Sequence, residues 1–182
     1  MKKTIFLTAI ICLSAISAFA QKKADFSGSW TLDTTKSKLD ERARIESMTM
    51  TVTQTDKDIK VETTTKRIPP PADAQGNGQG GGMRRGGGFG GDGTTTYTLD
   101  GKETKITQQT QMGEIPVMLK AKIDEGKLKL NQSRTFNSPM GEVSMTTKET
   151  WTLAEDGKTL TVKRDTESPR GTNSSEMVFT KK

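Results

Sequence analysis

The sequence predicts an all-β protein: an antiparallel up-and-down meander of about ten strands, closed into one barrel. Three observations carry this. Apolar and polar residues alternate with period two along most of the chain, as strands with one buried face require. Short turn signals separate the alternating runs at regular spacing, so successive strands are expected to be antiparallel neighbours. No stretch shows a convincing helix pattern. Closing a meander into a barrel removes both of its exposed edges. An open β-sandwich is the alternative architecture.

The chain begins with a segment that is not expected to belong to the fold. Lys2 and Lys3 precede an apolar run from Ile5 to Ala15, and Ala18-Phe19-Ala20 places small residues where a signal peptidase reads. Residues 1–20 therefore read as a secretory signal removed before Gln21, which directs the protein to the periplasm or outside the cell. The apolar run is shorter than the roughly 20 residues of a membrane span. What remains, residues 21–182, suits a single domain. Its formal charge falls from +6 to +4 with the loss of the two lysines, too mild to argue for nucleic acid.

The one cysteine, Cys12, leaves with the signal, and the chain contains no histidine. A disulfide, a thiol nucleophile, a Ser-His-Asp triad and a His/Cys zinc site are thereby excluded from the processed chain. No metal or cofactor is expected.

The first strand is expected within 26–33, where Phe26, Gly28, Trp30 and Leu32 share one face and Ser27, Ser29, Thr31 and Asp33 the other. A polar loop follows from Thr34 to Arg44. Met48, Met50 and Val52, then Ile59, Val61 and Thr63, alternate with polar residues around Asp56-Lys57-Asp58, which reads as a hairpin. Pro69-Pro70-Pro71 ends it. From Gly76 to Gly93 eleven of eighteen residues are glycine, a composition that loses most entropy on ordering and offers little to bury. Residues 69–93 are expected to be a disordered loop between two strands.

Thr95, Tyr97 and Leu99 resume the alternation, and Asp100-Gly101 is a hairpin signal leading to Thr104, Ile106 and Gln108. A turn at Gly113-Glu114-Ile115-Pro116 leads to Val117, Leu119, Ala121 and Ile123. After Glu125-Gly126 come Leu128, Leu130, Gln132, Arg134 and Phe136; after Pro139-Met140-Gly141 come Val143, Met145, Thr147, Glu149, Trp151 and Leu153. Asp156-Gly157 precedes Leu160, Val162 and Arg164, and the last run holds Ser175, Met177 and Phe179.

Gly28-Ser29-Trp30 inside Phe-Ser-Gly-Ser-Trp-Thr-Leu, followed by a meander, resembles the lipocalin and fatty-acid-binding (calycin) barrels. Together with Trp151-Thr152-Leu153 and Asp156-Gly157-Lys158-Thr159-Leu160-Thr161-Val162, it resembles small exported lipocalin-like proteins of Gram-negative bacteria, mostly without assigned function. The resemblance implies that Gly28 and Trp30 are structural, with Trp30 at the barrel floor beneath an arginine from a late strand, a role open to Arg164. Against catalysis, carboxylates such as Glu155 and Asp156 sit in a turn, where nothing positions them for acid–base work.

The residues themselves give one anomaly. Alternation puts Arg134, Glu149 and Arg164 on the apolar face, where charge is costly unless paired or solvated. A cavity with inward arginines can hold a carboxylate or phosphate head group. A structural Arg–Glu pair, strand ends reaching solvent, or a bulge explains the same pattern. Few aromatic residues face inward, and many Thr and Met do, which suits an incompletely packed interior. Arg134, Glu149, Arg164, Trp151 and Tyr97 are the candidate ligand-binding residues. The expected function is that of an exported, non-catalytic binding protein for a small amphipathic or lipid-like ligand. The alternative is an envelope interaction module, using its outer face or glycine-rich loop. Gly76-Asn77-Gly78-Gln79-Gly80-Gly81 follows prolines and precedes no helix, so it lacks a phosphate-cradling context. Arg84 and Arg85 among glycines are too few for an RNA-binding segment. Met48, Met50 and Met145 without histidine do not argue for copper. An outer-membrane barrel is disfavoured by the three charges on the apolar face and the absence of aromatic girdles.

Overall fold

The computed structural model describes residues 24–40, 43–69, 92–110, 113–138 and 141–182. The expected signal peptide and residues 70–91 of the expected loop lie outside them. The described residues form ten strands: β1 (Gly28–Leu32), β2 (Ile45–Gln54), β3 (Asp58–Arg67), β4 (Gly93–Thr98), β5 (Glu103–Thr110), β6 (Gly113–Asp124), β7 (Lys127–Ser138), β8 (Gly141–Leu153), β9 (Thr159–Ser168) and β10 (Gly171–Lys181). They form a single antiparallel sheet in the order β4-β3-β2-β1-β10-β9-β8-β7-β6-β5. It is an up-and-down meander rolled into a nearly closed barrel. Among the described residues no helix is long and apolar enough to cross a membrane.

The two ends of the chain close the sheet. β1 pairs with β10 through Trp30↔Lys181, Thr31↔Thr180 and Leu32↔Phe179. The gap lies elsewhere. Asp100-Gly101 does reverse the chain, with the Asp100 carboxylate accepting the Lys102 N–H at 2.9 Å, but β4 and β5 do not form the expected ladder. The connection is tied to other strands. The Leu99 N–H donates to the Lys57 carbonyl at 2.7 Å and the Gly101 N–H to the Ala121 carbonyl at 3.0 Å. β4 accordingly packs against β6, and among the side-chain contacts between β4 and β5 is Thr98 Oγ1 to Thr104 Oγ1 at 3.2 Å. A strong turn signal specifies a reversal; it does not specify a ladder. Two smaller corrections follow. The expected turn at 113–116 is the start of β6, with Ile115 buried, and Gly93 opens β4 rather than ending a loop.

The alternation read from sequence sets the inside of the barrel. Met48, Met50 and Val52 of β2, Val117, Leu119 and Ala121 of β6, and Leu160 and Val162 of β9 are buried, as are Phe26, Trp30, Trp151 and Phe179. The strand register stacks these residues in rows across the sheet. Leu128, Trp151, Val162 and Met177 make one row on β7 to β10; Leu130, Glu149, Arg164 and Ser175 make the next. Gln132, Thr147 and Thr166 follow. Along β8 and β9 the inward rows thus turn from apolar to polar, while β6 stays apolar beside them, with Ala121, Leu119 and Val117 buried.

Candidate functional site

The floor is built around Trp30. Its indole Nε1 donates to the Phe26 carbonyl at 3.0 Å, and Phe26 meets Trp151 edge to face with ring centroids 6.2 Å apart. The ammonium of Lys181 lies 5.2 Å from the Trp30 ring centroid, a cation–π contact that caps the floor. Gly28 permits it. Its φ of 141° disfavours any L side chain, and a Cβ there would collide with the Lys181 side chain. The cation over Trp30 is therefore a lysine from the last strand, not Arg164.

Arg164 sits one row above Trp151's, where it pairs with Glu149 in register and in charge. Arg164 Nε donates to Glu149 Oε1 at 2.7 Å, and Trp151 Nε1 donates to Glu149 Oε2 at 2.7 Å. Both carboxylate oxygens thus hold a donor, and among the described residues the arginine is held through its Nε. The two side chains are only 19% and 14% exposed, so each needs the other: an ion left alone here would carry a large desolvation cost. Tyr97 completes the cluster from β4. Burial raises its hydroxyl well above the usual tyrosine range; Glu149 adds to the shift and Arg164 opposes it.

These four residues line a cavity of about 100 Å³ together with Thr63, Thr95, Gln108 and Gln132, above Leu130 and Met50. Asp92, Gly93 and Thr94, also in the lining, are exposed, so the cavity reaches the surface beside β4. Arg134 stands apart. It points inward from β7 and is buried, at 8% exposure, but does not line the cavity. Register places it beside Val117 and Met145, four residues along β8 from Glu149, or about 13 Å at ~3.3 Å per residue. Its pKa is lowered by burial. Between the two arginines, Thr147 is buried and its hydroxyl lies 3.3 Å from that of Thr166.

Four of the five expected site residues therefore converge and one does not. Sequence reasoning did not single out Gln108, Gln132, Thr63 and Thr95 as lining. The signal was present for the first two: both are amides on the inward face of alternating strands, where an apolar side chain would be ordinary. No protein-family model matches the chain, and no curated protein matches it.

Proposed function

We propose that this is an exported, non-catalytic binding protein of lipocalin-like type, which receives the polar or anionic head of a small ligand at Arg164, Tyr97, Gln108 and Gln132. The observation that carries the reading is the cavity of about 100 Å³ lined by these groups and by the Glu149–Arg164 pair. A hydrogen-bonding lining with one partly engaged guanidinium suits a carboxylate or phosphate oxygen. Size narrows the ligand. The cavity is small, whereas pockets for drug-sized ligands span roughly 300–1,000 Å³. An amphipathic ligand would seat its head here and leave an acyl chain outside the barrel.

Native mass spectrometry tests this on protein purified without detergent from an exporting host. The expected result is an adduct that is lost on denaturation and weakened by Arg164→Lys and by Tyr97→Phe. A clean mass, still clean after incubation with a bacterial polar lipid extract and with inorganic phosphate, would overturn it. The same small cavity favours a second reading, an envelope interaction module with a packed interior. In that case deletion of residues 72–91 abolishes partner pull-down while the mass stays clean.

A further inference from the structure

We infer that β5 is a self-association edge, through which two copies of this chain join their sheets antiparallel about a two-fold axis. Three observations converge on it. First, among the described residues β5 ladders with β6 alone, so its other edge carries unpaired backbone groups. β4, the other terminal strand of the sheet, packs against β6 instead and is less open. Second, β5 is unlike every other strand in lacking a buried residue: from Glu103 to Gln109 only Gln108 is better than exposed. Ile106 faces inward by register, opposite the buried Val117, yet is 36% exposed because no strand covers it. Third, the strand carries no proline, and its charges, Glu103 and Lys105, lie on one side of Ile106, which leaves Ile106 to Thr110 without the usual guards of an open edge.

The register identifies which backbone groups are open. Asp124 and Lys127 flank the two-residue turn Glu125-Gly126, so they form a bonded pair, and bonding alternates from there. Even-numbered residues of β6 then bond to β7 and odd-numbered ones to β5. Pro116, even-numbered and without an N–H, lies just where the β6–β7 ladder stops, before Val117↔Arg134. Ile115, Val117 and Leu119 therefore bond to Gln108, Ile106 and Thr104. Lys105, Thr107 and Gln109 present their N–H and C=O groups outward.

This edge is complementary to itself. A two-fold axis through Ile106 places it opposite Ile106 of the second copy in a non-bonded pair, the kind in which side chains lie closest. Lys105 then exchanges hydrogen bonds with Thr107 of the second copy, and Glu103 with Gln109. No like charges face one another, and the exposed isoleucine is covered. A single ladder of this length buries less than a standard interface, so the association is weak and depends on concentration.

Sedimentation velocity on the processed full chain, from low micromolar to millimolar concentration, tests the inference. The expected outcome is a shift from one-chain to two-chain mass, abolished by Ile106→Lys with an unchanged circular dichroism spectrum. A wild-type protein that stays at one-chain mass throughout, or an Ile106→Lys protein that doubles like wild type, would overturn it. A second measurement traps the contact covalently. In the same processed chain, which starts after Cys12, Ile106→Cys forms a disulfide-linked dimer under mild oxidation and Thr96→Cys on β4 does not. Equal cross-linking at both positions would count against β5.

Discussion

The two ends of the barrel interior are held by opposite physics. At the floor, Phe26, Trp30, Leu160 and Phe179 are fully or almost fully buried, and the one polar atom of the Trp30 side chain donates to a backbone carbonyl. Removing apolar area from water supplies the stabilisation directly. Above Trp151 the interior holds Glu149, Arg164, Gln132 and Thr147. Beside Leu130 and Leu119, these four gain nothing from burial alone: the ions lose hydration, and pairing offsets that loss. The floor is a source of stability, and the upper end is a region whose net contribution depends on every partner being present. That difference is what makes the upper end suitable for a ligand, which can supply polar partners of its own.

The largest effect is expected at the floor. Trp30→Ala removes the central side chain, its cation–π contact and the bond to Phe26, and should destabilise by about 3–5 kcal/mol, read by urea unfolding. A loss below 1 kcal/mol would show that the floor is not where the stability resides. Next, Glu149→Ala strands Arg164 and the Trp151 N–H. A pair this incompletely buried should lose about 2–3 kcal/mol, somewhat less than the full cost of orphaning a buried ion. Joint replacement by Glu149→Leu and Arg164→Met should recover most of that loss, since a hydrophobic pair asks for no hydration. Failure of the double variant to recover would mean that the upper end relies on its charges for more than mutual neutralisation.

The smallest effect is spectroscopic. Tyr97 is the only tyrosine in the chain, so tyrosinate absorbance reports this residue alone. Its folded pKa is raised above the ordinary value of 10 by burial and by Glu149. Above pH 10 the unfolded chain ionises while the folded one does not, so stability is complete below 10 and declines as pH rises. Tyrosinate should therefore appear only with unfolding, and Tyr97→Phe should lessen the alkaline loss. Titration of the native protein near 10 would show that water fills the upper cavity freely.

How much of this could be read beforehand differs by feature. The inward positions were legible because a strand's side-chain period is two: Met48, Met50 and Val52, or Leu119 and Ala121, reveal their face without reference to any neighbour. The same rule placed Arg134, Glu149 and Arg164 on the inward face. It could not reveal that Arg164 lies beside Glu149, nor that Arg134 is four residues away along β8, because spacing within a strand says nothing about register between strands. The Asp100-Gly101 turn shows the converse limit. Its local chemistry reversed the chain as expected, but backbone bonds from Leu99 to Lys57 and from Gly101 to Ala121 drew the connection to other strands.

By itself the sequence determined an all-β meander, its buried face, and a chain without histidine, because those follow from composition and from a period that each segment carries alone. Only the tertiary structure decided that the chain ends close the barrel while its middle stays open between β4 and β5. It alone decided that a lysine rather than an arginine caps Trp30, and that Tyr97, Glu149, Trp151 and Arg164 meet at one cavity. These are contacts between segments far apart in the chain. They are set by the competition among all strands for partners, which no local pattern encodes.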